Sequence, residues 1–424
     1  MSTSNLSIGM YVGMLDRPWL ETPFLFQGFL IKDRTELEQL QSYCSQVYVE
    51  IERGKLTEAQ IIAMAAGKAV RILGPDEAEP GKPGWLHRIV FRMGVGRFLS
   101  ARKRKQSACY EITSTVRREA PLAKAAYEKC VISHRRIFER TRRSGRVDTA
   151  RVIRAVTPLI QSILRNPNAM AWTVFSGKRS GKPYSRAVAT SVLSVMFGRH
   201  LGIDRQGLQD LAVGGLLLDI GNVAVPDEIL AAAGAITHDE YEQVPYHVQA
   251  GVDILHRSED ISPTIFEMVN YHHERYDGSG YPHGMRGSAI PAYGRIAAIV
   301  DCYDAMTTKS SYSPALAAYD AARELNDIRN RQFSAEVVQQ FLHTIGMFPT
   351  GTVVELSDGS AGLVLEQNPV NLLQPKVLLL KKPSGEMNKR PKVLNSQEWK
   401  GSGIWISKGH EHGAFGINPM EYFN

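Results

Sequence analysis

The chain has 424 residues, 43% of them hydrophobic and 22% charged, with a net charge of +7. That length suits two or three domains, and that balance is ordinary for a chain that buries a real core. The start, MSTSNLSIGMYVGM, lacks the charged residue and apolar run of a secretory signal, and no window reaches the ~18 apolar residues needed to span a bilayer. Cys44, Cys109, Cys130 and Cys302 stand far apart without a C-x-x-C pair. That usage suits a reducing cytoplasm and argues against a thiolate metal site.

The first stretch, residues 1–73, reads as a small α+β domain. Phe24 to Ile31 and Val47 to Ile51 have the β-branched and aromatic content of strands. Thr35 to Cys44 reads as a helix between them, with Leu37, Leu40 and Tyr43 on one face. Residues 74–146 read as a linker and a basic segment. Gly74 to Gly84 is rich in Pro and Gly, and the stretch from Leu86 to Arg146 looks helical but weakly apolar. Between Arg88 and Arg154, 19 Lys and Arg stand against 5 Asp and Glu. Such a stripe attracts nucleic acid, an acidic partner or an anionic membrane surface; a solvated face on connecting helices is the plainer reading, because its few aromatic residues are not clearly interleaved with the basic ones for base stacking.

Residues 147–347 read as an all-α domain. Val152 to Leu164, Ala187 to Leu201 and Ala335 to Ile345 carry apolar residues at three- and four-residue spacing, and Thr237 with Glu240 forms a capping box. Residues 348–424 read as a short β-rich extension: Gly351 to Leu356 and Ala361 to Leu365 flank the turn Ser357 to Ser360, and Lys376 to Leu380 is a candidate third strand. The tail from Trp399 to Asn424 carries no assignable pattern.

The most specific segment runs His272, His273, Glu274, Arg275, Tyr276, Asp277, Gly278, Ser279, Gly280, Tyr281, Pro282. Adjacent helical positions diverge by about 100°, so the two histidines converge on one metal only at a helix end, where the backbone can adjust. This string resembles the signature of the HD-GYP branch of the HD phosphohydrolases, which cleaves cyclic di-GMP. Further matches lie at the expected distances. Leu216 to Asn222 takes the place of the family's L-L-H-D-I-G-K, His247 with Gly251 matches its H-P-x-x-G, and Asp301 with Asp304 matches its A-x-x-D-x-x-D-A. The N-terminal stretch resembles a domain of unknown function often fused ahead of HD-GYP.

The resemblance implies two or three ions, commonly iron or manganese, that generate a hydroxide and stabilise charge on the phosphate. It places one ion on Asp219, His247, His272 and His273, and a second on residues at positions 184, 218, 219 and 301. Here the first set is complete. In the second, Tyr184 and Leu218 stand where the family has histidines, so only Asp219 and Asp301 remain. A phenol, with an ordinary pKa of about 10, is a poor substitute. Ser180 falls where an acidic residue supplies a third metal, Asn222 replaces the lysine that closes the HD motif, and Ser310 replaces a phosphate-holding arginine beside Lys309. The expectation is a cyclic-di-GMP signalling protein with one divalent ion (iron or manganese ahead of zinc) and weak or no hydrolysis; an active phosphodiesterase with a rearranged site is the alternative. Asp219 is the candidate catalytic carboxylate, and Tyr281 and Lys309 are candidate substrate contacts. The loop of Gly278, Gly280, Tyr281 and Pro282 has been linked in the family to partner binding, notably to GGDEF diguanylate cyclase domains.

Overall fold

The structure is a computed structural model that describes residues 3–15, 29–31, 34–44, 47–50, 110–176, 183–225, 246–308, 315–368, 372–399, 404–411 and 413–422. The chain divides into two compact units, Met1–Ile89 and Val90–Asn424.

In the first unit β1 (Tyr11–Leu15) lies between β2 (Phe29–Leu30) and β3 (Val47–Glu50), antiparallel to both. Helix α1 (Arg34–Tyr43) contributes Leu40 to a core with Leu6, Met10, Val12, Ile31, Cys44 and Val47. Helix and third strand lie where their sequence patterns put them. Strand β1 has no such pattern, because its register shifts between Val12 and Met14 and breaks the alternation that marks a strand. Of the strand expected at 24–31, only residues 29–31 are described. The Gly74 to Gly84 linker and the Thr237 capping box also lie outside the described residues.

The second unit begins earlier than the residue 147 at which the sequence pattern places it. Helix α2 (Val116–Ser144) buries Val116, Ala123, Cys130 and Ile137 in the same core as the helices that follow. These positions recur every seven residues, a real stripe, but Ala, Cys, His134 and Thr141 make it too small and polar to read as apolar. Arg135, Arg136, Arg140, Arg142 and Arg143 stand on its exposed face. Thr115 caps the first turn, and Gly145, in the left-handed conformation at φ 68°, ends the helix.

Asp148, Asn166, Asp204, Ser262 and Ser334 then cap α3 (Thr149–Arg165), α4 (Pro167–Phe175), α6 (Arg205–Leu217), α8 (Pro263–Tyr271) and α11 (Ala335–Ile345). Between them lie α5 (Pro183–His200), α7 (Tyr246–His256), α9 (Ala292–Thr307) and α10 (Ala318–Asp327). Helix α5 is central, with Val188 to Phe197 buried. Phe197, Tyr303 and Phe341 meet edge to face at 5.3 and 5.4 Å between ring centres. Helix α6 fits between α5 and α8 because Gly215 lets it close on the Ser191 backbone and Gly214 lets it close on Met268. Among the described residues no helix is long and apolar enough to cross a membrane.

The C-terminal strands β4 (Val353–Leu356), β5 (Ala361–Glu366), β6 (Lys376–Lys381), β7 (Met387–Leu394) and β8 (Ile406–His410) form one antiparallel sheet in the order β7-β6-β5-β4-β8. Val354, Leu356, Val364 and Val377 join the helical core, so the sheet shares the helices' apolar interior. Part of the tail without a sequence pattern thus becomes the edge strand β8; ISKGH has a single large apolar residue, and its place is set by pairing with β4.

One buried ion pair ties α2 to α3. Glu119 is 1% exposed and accepts hydrogen bonds from Arg165 Nε and Nη2 at 2.9 and 2.8 Å and from Ser162 Oγ at 2.8 Å. Burial pushes its carboxyl up, but the Arg165 and Ser162 hydrogen bonds outweigh it and hold the group below the usual carboxylate range. Its contribution is therefore complete at neutral pH and fades as pH falls below about 4.3. Glu119→Gln is expected to cost about 2 kcal/mol at pH 7, discounted because Arg165 is partly exposed. Urea unfolding should show this cost shrinking at pH 3.5; a cost independent of pH would contradict the assignment.

Candidate metal centre

Helix α6 delivers the first ligand. It ends at Leu217, Leu218 turns into the core, and Asp219 follows, leaving the helix at φ −99°, ψ 23°. A 3-10 turn, Ile220–Ala224, carries Asn222 and packs against the start of α7, where His247 sits. That approach requires Gly221, because a Cβ there would strike the His247 carbonyl and the Gly251 amide. Helix α8 ends at Tyr271, and His272 and His273 follow on the unwinding backbone, as their adjacency predicts.

The three rings converge through Nε2. His247 Nε2 lies 3.4 Å from His272 Nε2 and 3.2 Å from His273 Nε2. Asp219 Oδ1 lies 3.6 Å from His247 Nε2 and 3.8 Å from His272 Nε2. His272 Nδ1–H donates to the Val269 carbonyl at 2.9 Å, which fixes that tautomer and leaves Nε2 free to ligate. Burial pushes His272 down to about 4, against the pull of Asp219, and pushes His273 far below its ordinary value, with repulsion from His272 and His247 adding to it. Burial alone would raise Asp219, but attraction from His247, Arg186, His272 and His134 holds it below the usual carboxylate range. Burial thus favours neutral imidazoles at His272 and His273 and the neighbouring charges favour an ionised Asp219, the protonation states a divalent ion requires of these ligands.

The geometry fits one ion. Ligands about 2.1 Å from a metal sit about 3.0 to 3.4 Å apart in octahedral or tetrahedral arrangements, and the four atoms fall within 4.8 Å of one another. Asp219 keeps 39% of its side-chain surface open, which leaves a face for further ligands. The donor set of imidazole and carboxylate suits iron, manganese or zinc.

The residues at the positions that the resemblance gives to a second ion have other partners in this structure. Leu218 is buried among apolar side chains. Tyr184 packs edge-on against His134 and Phe138 of α2, at 5.8 and 5.7 Å between ring centres. Asp301, expected as a fifth ligand, is engaged elsewhere: Arg186 Nη2 donates to Asp301 Oδ1 at 2.9 Å, and Arg186 Nε donates to Asp304 Oδ2 at 3.1 Å. Burial lifts Asp301 to about 6, with Arg186 opposing and Asp219 and Asp304 reinforcing the rise. Sequence reasoning passed over Arg186 because it stands two residues after Tyr184, at a position to which the resemblance assigns no ligand. The available signal was a lone arginine at the head of an apolar helix whose domain also holds two aspartates one turn apart.

The loop after the histidines is organised by Glu274, a second residue missed. It is 1% exposed and accepts from the His283 and Met285 amides at 2.7 and 2.8 Å. Asp277 accepts from the Ser279 amide and hydroxyl at 2.9 and 2.6 Å. Gly278 has φ +80°, and Gly280 lies so close to the His273–Arg275 backbone that any Cβ would collide with it. Tyr281 is half-buried with its ring 4.6 Å from that of His273, so it lines the cluster, while Pro282 is exposed. Lys309, Ser310 and Ser180 lie outside the described residues, as do Arg102 to Lys105 of the basic segment.

The HD-domain family model matches residues 173–337, and the model of a domain of unknown function, DUF3391, matches residues 1–152. A cyclic di-GMP phosphodiesterase of Pseudomonas aeruginosa is 29% identical over 88% of this chain and 83% of its own length. One from Thermotoga maritima is 35% identical over 35% of this chain and 41% of its own. Among solved structures, an HD-GYP protein from Bdellovibrio bacteriovorus aligns over 70% of this chain and 90% of its own at 15% identity, with a TM-score of 0.41. With its ligand cluster at the ends of three helices and its Gly-rich loop in place, the chain carries an HD domain over residues 173–337, preceded by a DUF3391 domain over residues 1–152.

Proposed function

We propose that this chain is a cyclic-di-GMP signalling protein whose HD-GYP domain holds one divalent ion and has lost efficient phosphodiester hydrolysis, so that it acts through binding of nucleotide or protein. The observation that carries the reading is the pairing of Asp301 with Arg186 beside a buried Leu218, while Asp219, His247, His272 and His273 stay convergent. When bound, the ion supplies Lewis acidity at a phosphate oxygen. The chain's own residues hold it, and Tyr281 against His273 narrows the approach. Two-metal hydrolysis needs both ions about 3.5–4 Å apart, and each lost charge contact to the transition state costs roughly 3 kcal/mol. Contact of GGDEF domains with the loop around exposed Pro282 belongs to the same proposal.

The test is hydrolysis of cyclic di-GMP by the purified, manganese-loaded chain, with metal content measured on the same sample. We expect about one ion per chain and turnover roughly a thousandfold or more below that of the P. aeruginosa relative assayed alongside. Turnover equal to the relative's, and abolished by His273→Ala, would instead favour an active single-metal phosphodiesterase.

A further inference from the structure

Asp301 and Asp304 lie three residues apart on α9, so they share one face. Their side chains are 11% and 0% exposed. Two carboxylates buried side by side do not both stay ionised without a cation between them. An ion would be one solution; the chain holds another. Arg186 reaches across from α5 and hydrogen-bonds both carboxylates, each through a different nitrogen. It also attracts Asp219 and repels a proton on His273, so its charge is felt in the ligand cluster. A guanidinium is protonated at any working pH and is not displaced as a weakly held ion is. Its side chain keeps 32% of its surface open, and Nη1 has no hydrogen-bond acceptor among the described residues.

We propose that Arg186 is the resident cation of the second metal position: it occupies Asp301 and Asp304, keeps a second ion out, and supplies beside the single bound ion the positive charge that a phosphodiester meets. The inference rests on the one-ion reading above. Arg presents paired N–H donors that match phosphate geometry, so the free edge of Arg186 takes over part of the phosphate grip lost with Asn222 and Ser310. The replacement also explains why Tyr184 and Leu218 are tolerated. With a guanidinium on Asp301, no ion remains for a histidine at either position to bind.

The experiment counts manganese in the full chain after loading and desalting, in the Tyr184→His/Leu218→His background with and without Arg186. With Arg186 present, the count should match the unaltered chain. Adding Arg186→Ala or, in a parallel variant, Arg186→Gln should raise it by about one ion per chain. Two ions bound while Arg186 is intact would overturn the proposal, and so would no gain in both triple variants. A second arm measures binding of fluorescent cyclic di-GMP. Arg186→Gln alone should weaken it about 10- to 100-fold at an unchanged ion count, and unaltered affinity would refute the phosphate contact. An unaltered chain that binds no ion sinks the one-ion reading separately, because the comparison across Arg186 is still read in the His-restored background.

Discussion

Asp219→Asn is expected to lower manganese affinity at least about a hundredfold, the largest effect of any single ligand change in this protein. Loss of a residue that only orients a ligand already costs about 10- to 100-fold, and Asp219 does more. It is the single anionic member of the four-ligand cluster, so its amide would leave three neutral imidazoles to balance a divalent charge. It also faces His247 and His272 at 3.6 and 3.8 Å. Without its charge, burial of those rings has no electrostatic compensation. Equilibrium dialysis against a fluorescent chelator measures the change. Tyr184→Phe is the control: its ring packs on His134 and Phe138, so metal affinity should stay within about twofold. Equal affinity in Asp219→Asn and the unaltered chain would show that the cluster is not the metal site.

The second large effect is on stability. Gly221→Ala is expected to cost about 3 kcal/mol or more, at the upper end for an added methyl group in a packed interior. The new Cβ would collide with the His247 carbonyl and the Gly251 amide, both backbone atoms of α7 that move only with the whole helix. Because His247 rides on that backbone, metal affinity should fall with stability. Gly214→Ala makes a useful contrast. Its Cβ would meet the Met268 side chain, whose thioether can swing aside, so about 1 kcal/mol is expected with little change in metal affinity. Urea unfolding of both variants tests the argument, and equal costs would remove it.

The residues that carry chemistry were more legible than the parts that hold them. The H-H-E-x-x-D-G-x-G-Y-P string, with Asp219 and His247 at their spacings, announced the ligand cluster because metal chemistry demands particular side chains. Helices such as α11 were legible from periodicity. Strand β8 and helix α2 were not, because one is placed by pairing with a distant strand and the other buries Ala, Cys and His in place of large apolar residues. Arg186 was hidden for a third reason: its role depends on a contact with Asp301 across 115 positions of sequence. The motif marked Asp301 as a ligand, and only the folded chain assigns it to a guanidinium.

Helix α2 sets how this protein can be divided. The DUF3391 match runs through it and the HD-domain match starts well after it, yet its buried stripe completes the helical core and its His134 and Phe138 back Tyr184. A fragment that starts at either family boundary, residue 152 or 173, would lack the helix whose buried residues belong to the same core as Leu216 and its neighbours. The helix is also a rod of 29 residues, about 43 Å long at 1.5 Å per residue. A push or twist at its N-terminal end would be delivered, without any loop to absorb it, to the aromatic wedge behind the ligand cluster.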